Sequence, residues 1–316
     1  MKLHWILACL ALAAPCTALA ADNAAPAQAC EDAYAALPHG TILDLLDPQA
    51  PAERRSAALA AYEGLATMAA CPEFAYTLGQ LYRHGPDLPG NPLPQDVPKA
   101  RELILPMAEA GYLPAYADLA EMEMRHAHGR EAMRWTQVYL YFVKKVAMAA
   151  TEDADYLQFQ RSGYNGNLLA RTTLIWKYSH PRLPRKQIAE DLNAYLAGHR
   201  ADVQRLMEER GQGMHLRASA QDGGPVRLTS NGSDDCTVFL PKGIGAGSAS
   251  WIVEVMPSGE VGRVVLENFV PNAEVADKMK TCILRDTYAP FEGTESATVR
   301  RSMVVGSPEG AALRRR

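Results

Sequence analysis

Glu121, Glu123, His126 and His128 crowd one short stretch of the chain. Carboxylate and imidazole are the side chains that hold zinc and related divalent ions. On a helix Glu123 and His126, three apart, share a face. Spacing supplies neither a third ligand nor the partners that would orient the first two, so the expectation is an exposed polar helix face and no metal site. His84, His180, His199 and His215 are scattered and read as packing or surface residues, and Asp153, Asp155, Asp234 and Asp235 as turns or helix starts. Tyr139, Tyr141 and Phe142 read as helix core. Neither Gly-x-Ser-x-Gly nor His-Glu-x-x-His occurs. The Gly-rich run Lys242–Ser248 leads into the β-formers of Trp251–Met256, whereas a phosphate loop needs Gly-Lys-Ser/Thr entering a helix. It reads as a hairpin connection. The residues therefore predict a non-enzyme, with no catalytic set, no metal and no cofactor.

Cysteine is the other reactive type, and its reading depends on the amino terminus. Lys2, the apolar run Trp5–Ala14 and the small-x-small Ala18-Leu19-Ala20 have the form of a signal peptide, residues 1–20, cut before Ala21. The run is shorter than the roughly 18 apolar residues of a membrane span. Cleavage would leave Cys30, Cys71, Cys236 and Cys282, an even set in an exported chain. Three pairings are possible, and Cys30–Cys71 with Cys236–Cys282 is the simplest because each stays within one part of the chain. In the chain-entropy model each bridge contributes about 3–4 kcal/mol. No Cys-x-x-Cys is present.

Composition narrows the partners. The chain has 316 residues, 48% hydrophobic and 7% aromatic, with 32 basic against 36 acidic side chains. That hydrophobic share supports packed cores, and the length allows two domains of about 100–200 residues. A slight acidic excess with few aromatics offers neither the basic surface nor the stacking platform of a nucleic-acid binder.

Two textures follow one another. Residues 28–210 carry apolar residues at helical spacing, with helices expected over 51–69, 72–84, 97–110, 114–127, 130–150, 167–178 and 185–209. Past Gly211-Gln212-Gly213, β-formers bunch at 226–229, 236–240, 251–256 and 261–269 between tight-turn dipeptides. A helix from Pro271 to about Arg285 and a last strand at 294–304 follow. The resulting division is signal peptide 1–20, helical domain 21–210, linker 211–222, small α+β domain 223–308 and basic tail 309–316. The fold class is a multidomain α + β chain, all-α helical hairpins first and a ββαβ module last.

Within the helical part, Phe74, Leu78 and Gly79 are echoed by Ala115, Leu119 and Ala120. Lys99-Ala100 and Leu103 are answered by Glu131-Ala132 and Trp135, with the Pro-rich loop 86–98 inserted in the first copy. Small residues at Gly79 and Ala120 would let neighbouring helices approach closely. Leu78-Gly79-x-x-Tyr82-x-x-Gly85, Asp96-x-x-Lys99-Ala100 and Ala108-x-Ala110-Gly111 resemble the Sel-one-like repeats, relatives of the tetratricopeptide family, over residues 71–150. In the second copy Glu123 stands in the Tyr position. The resemblance implies a protein-binding solenoid.

In the last part, Val253-x-Val255-x-x-x-Gly259-x-Val261 and the aromatic-Pro segment Tyr288-Ala289-Pro290-Phe291 resemble the carboxy-terminal domain of TonB-type energy transducers, over residues 235–305. The Tyr-Pro pair that family carries before its first strand is missing. The resemblance implies a periplasmic adaptor that binds a protein or peptide of the outer membrane or cell envelope. An anchored energy transducer and an exported metal-dependent enzyme are the alternatives. The last strand would be a sheet edge, open to an added strand beside Val299, Arg300 and Arg301, whose charges would admit an acidic peptide.

Overall fold

First-turn prolines and side-chain caps mark where several of the helices begin. The first described elements are α1 (Ala24–Ala36), α2 (Thr41–Leu46) and α3 (Ala52–Leu65). Then comes α4 (Pro72–His84), whose proline occupies the first turn, where its missing N–H has no helical partner to lose. Asp96 caps α5 (Val97–Glu109) by accepting the Lys99 amide at 2.9 Å, which is the physical role of the Asp-x-x-Lys spacing. Among the described residues, α6 (Leu113–Arg125), α7 (Gly129–Ala149) and α8 (Arg185–Glu209) follow. A computed structural model describes residues 24–69, 71–149, 183–209, 226–232, 236–242, 244 and 246–306. The signal segment 1–20, the helix expected at 167–178, the linker 211–222, the tail 309–316, His180, His215, Asp153, Asp155, Asp234 and Asp235 lie outside the described residues.

The loop between α4 and α5 is held by its own side chains. Asn91 Nδ2 donates to the carbonyls of Leu81 and Gly85, both at 2.7 Å, and Gln95 Nε2 donates to that of Arg83 at 3.0 Å. Gly85 turns the chain with φ +52°, and a Cβ there would meet the Gln95 backbone. α4 packs on α5 and α6 on α7, contact between α5 and α6 joins the pairs, and α8 covers α7 and α5. Tyr116 and Tyr195 share a hydroxyl hydrogen bond of 2.8 Å that ties α6 to α8. Burial pushes Tyr195 up to about 12.

The strands are β1 (Leu228–Ser230), β2 (Ala246–Val255), β3 (Val261–Val270), β4 (Thr287–Tyr288) and β5 (Ala297–Gly306). Between β3 and β4 lies α9 (Ala273–Ile283), capped by Asn272 Oδ1, which accepts the Val275 amide at 3.1 Å. β3, β2 and β5 form an antiparallel sheet in that order, and β1 pairs with β4. The architecture is mixed α+β. Residues 236–240, expected as a strand, show alternating burial but form no strand and sit in neither sheet.

Alternation along β2 gives the sheet two covered faces. Gly247, Trp251 and Val253 face α9, since Gly247 abuts Val275. Ser250, opposite Asn268, faces the helices. One continuous core cluster accordingly joins Leu43, Phe74 and Leu81 of the early helices to Trp251, Phe269 and Met279 of the sheet unit. A second, built from α5 to α8, centres on Ile104, Tyr116, Trp135 and Phe142.

Gly79 lies where α4 meets α5, and a Cβ there would come within 2.7 Å of Ile104 Cγ1 and 3.2 Å of Leu103 Cβ. Replacing a mid-helix glycine ordinarily stabilises by up to about 1 kcal/mol. Here the sign reverses: Gly79→Val is expected to destabilise by about 1–3 kcal/mol through overpacking. A urea denaturation midpoint equal to or above that of wild type would contradict the close approach.

Candidate functional site

β5 is last in the main sheet and pairs, among the described residues, with β2 alone. Its two central arginines point to opposite faces, as alternation requires. Arg300 donates from Nε and Nη2 to the two oxygens of Glu267, each at 2.6 Å, reaching across β2 to β3. On the other face, Arg301 Nε donates to Asp286 Oδ2 at 2.6 Å and Nη2 to Asn231 Oδ1 at 3.0 Å. Asp286, fully buried as a side chain, also accepts the Gly232 amide at 2.8 Å. Burial, with the Asp286 charge second, raises the neighbouring Tyr288 hydroxyl above the ordinary phenol range. Both guanidiniums are thus paired within the chain, Arg301 largely covered and Arg300 with 37% of its side chain still exposed, and Val299 pairs with Val253. What β5 turns outward along its edge is backbone.

Behind the sheet lies a polar cluster that the sequence did not reveal. Asp118 of α6 has no exposed surface. Its Oδ2 accepts from Tyr76 Oη at 2.5 Å and Gln80 Nε2 at 2.8 Å, and its Oδ1 accepts from Arg83 Nη1 at 2.7 Å and Asn268 Nδ2 at 3.3 Å. Arg83, itself 1% exposed, also pairs with Glu121. His84 Nε2 lies 2.9 Å from Asn268 Oδ1, and its ring lies 4.4 Å from that of Phe269, tilted by 30°. Desolvation, reinforced by Arg83, holds this imidazole well below its ordinary range. One carboxylate therefore gathers donors from α4 and β3. Tyr76, Gln80 and Arg83 fall on one side of α4, but nothing in the sequence shows that Asp118 of α6 and Asn268 of β3 meet them there.

A second clasp, also between residues far apart in sequence, ties β3 to α2. Arg263 of β3 donates to Glu254 Oε2 at 2.9 Å and to Asp44 Oδ1 of α2 at 2.8 Å. Hydrogen bonding to Arg263 holds the Glu254 carboxyl down at about 2.

The acidic and imidazole stretch is arranged differently from the expected exposed face. Glu121 and Glu123 are buried, because α6 is enclosed by the helices around it. Glu121 serves Arg83, while Glu123 accepts from Arg101 Nε at 2.6 Å and holds His128 Nδ1 at 2.8 Å. α6 ends at Arg125, so His126 sits in the cap rather than one turn along from Glu123. Among the described residues, the potential metal ligands close enough to converge are Cys30, Cys71 and Glu73, and the two sulfurs are joined to each other. Tyr139 and Phe142 are core residues.

Cys30 bonds Cys71 and Cys236 bonds Cys282, with Cα separations of 5.2 and 5.6 Å. Such pairs fit a protein exported to an oxidising compartment. Among the described residues no helix is long and apolar enough to cross a membrane. Compared with protein-family models, curated proteins and solved structures, the chain shows no match.

Removing the Asp118 carboxylate would leave Arg83 with Glu121 as its one remaining carboxylate partner here and take the acceptor from the donors Tyr76, Gln80 and Asn268. Asp118→Ala is expected to cost about 3–5 kcal/mol, the range for breaking a buried pair from one side. Chemical denaturation measures this directly. A loss within about 0.5 kcal/mol, as at an ordinary surface site, would show that the cluster does not hold the fold.

Proposed function

We propose that this chain is a periplasmic adaptor that binds a cell-envelope protein or peptide by strand addition to β5. The observation that carries the reading is the edge position of a ten-residue strand whose arginines are anchored on both faces. Anchoring matters energetically: an edge already held in the bound geometry loses little conformational freedom when a peptide pairs with it. The opposite edge strand, β3, carries side-chain ties to α2, α4 and α6 through Arg263 and Asn268. β5 is therefore the edge we assign. Since Arg300 and Arg301 are spent on Glu267 and Asp286, recognition rests on backbone hydrogen bonds rather than on an acidic partner.

The strand, strand, helix, strand order around β2, β3, α9 and β5 supports the resemblance to the TonB-type module. The stacked helix pairs α4–α5 and α6–α7 support the resemblance to Sel-one-like repeats, which would supply a second protein-binding surface. Export through a cleaved signal peptide at 1–20 belongs to the same proposal, and the two disulfides are in keeping with it.

Partner capture from an envelope extract tests the reading, with amide exchange locating the contact. A bound partner should slow exchange along Ala297–Gly306. Val299→Pro removes one backbone donor and should weaken capture by at least the ~0.5–1.5 kcal/mol of a lost hydrogen bond. Circular dichroism must show the sheet intact in that variant. A folded variant that captures its partner as well as wild type would rule out the β5 edge.

A further inference from the structure

His84 ends α4 without any exposed surface, and its protonation state can be deduced from its neighbours. Asn268 directs its amide nitrogen at Asp118 Oδ1 and its carbonyl oxygen at His84 Nε2. A carbonyl only accepts, so the imidazole proton resides on Nε2. Nδ1 is then a bare acceptor, buried and without a hydrogen-bond partner. A proton added at Nδ1 would create a buried cation with nothing to receive its N–H.

The charges around His84 oppose that cation. On its own helix Arg83 lies next in sequence, and from α6 Arg125 adds a second positive charge. Asp118, also from α6, is the favourable neighbour, but its oxygens already accept from Tyr76, Gln80, Arg83 and Asn268. Glu121 of α6 is committed to Arg83. β3 offers only Asn268, whose oxygen faces Nε2, and the apolar ring of Phe269. An imidazolium at this point can reach a suitable environment only by leaving the contact with β3.

Covalent links leave that departure open. Cys30–Cys71 staples α1 to the start of α4, and Cys236–Cys282 staples the 236–242 segment to α9. Neither bridge crosses from the helices to the sheet unit. We propose that the contact of α4 and α6 with β3 is an acid-sensitive latch, in which protonation of His84 releases the sheet from the helical layer while each side stays cross-linked.

The sign follows from linkage. With the sheet docked His84 stays neutral, whereas undocked it regains an ordinary imidazole pKa of about 6.5. Below that value the undocked form binds a proton the docked form refuses, so docking weakens by up to about tenfold per pH unit as the pH falls. Above it the latch is closed and indifferent to pH.

Thiol labelling of the chain from Ala21 onward, which lacks Cys9 and Cys16 and holds its other four cysteines in the two bridges, reads the latch. Ser250→Cys places a thiol on the helix-facing side of β2, where the residue is 2% exposed, and Val138→Cys places one in the fully buried core of α7. Labelling uses a dithiodipyridine, which reacts in acid, with each rate divided by that of the unfolded chain at the same pH. Between about pH 6 and 5 the thiol from Ser250→Cys should become accessible at close to tenfold per unit, while that from Val138→Cys stays protected. Adding His84→Gln, which keeps an amide donor towards Asn268 and cannot titrate, should flatten the response. Accessibility that is independent of pH, that rises equally at both thiols, or that persists in His84→Gln would overturn the latch. If His84→Gln does not fold, the comparison of the two thiols in the otherwise wild-type chain still decides.

Discussion

A carboxylate cannot stay charged inside a protein unless its lone pairs are filled, and Asp118 meets that condition with donors from two separate parts of the chain. Tyr76, Gln80 and Arg83 come from α4, adjacent in the helical layer, and Asn268 comes from β3. The helix pairs can therefore stack in one relative position only, the one that presents three donors to Asp118. The sheet must dock where Asn268 completes the set. Glu121 shares the charge of Arg83, so the guanidinium is matched by two carboxylates.

Around this point the apolar packing arranges itself in a way that sequence order does not suggest. α2, α3 and α4 bury their apolar faces with the sheet and α9, while α5 to α8 form a core of their own. α4 therefore works on both sides: Gly79 admits α5, and His84 and Leu81 meet the sheet unit. At the far end of β3 the Asp44–Arg263–Glu254 clasp fixes the sheet to α2. The edge at β5 is thus the free side of a body held at two polar points, which is what makes it a suitable platform for an added strand.

Local signals were legible and long-range ones were not. α4 and α8 begin and end where helical periodicity and the prolines placed them, and α5 to α7 differ by a residue or two. The hairpin of β2 and β3 follows from alternation and from Gly259, whose φ of +87° closes the turn. α1 is weakly patterned and α2 has only six residues, so neither stands out in the sequence, and their burial comes from partners distant in sequence. Glu121 and Glu123 read as surface because a charge on a helix usually is; the helices packed around α6 make them interior, where Arg83 and Arg101 of other helices are among their partners. Arg300 and Arg301 looked available for the same reason, and their acceptors Glu267 and Asp286 lie in other elements. Spacing reports neighbours along one element, whereas ion pairs between elements need the fold.

The central claim, that Asp118 and Asn268 lock helices and sheet into one body, is tested most directly by a double-mutant cycle. Asp118→Ala, Asn268→Ala and the double variant would be compared by urea denaturation. Residues sharing one network are expected to show an interaction energy of about 0.5–3 kcal/mol. Additive losses, within about 0.3–0.5 kcal/mol of the sum of the single variants, would mean that the two layers are stabilised independently and would contradict the account.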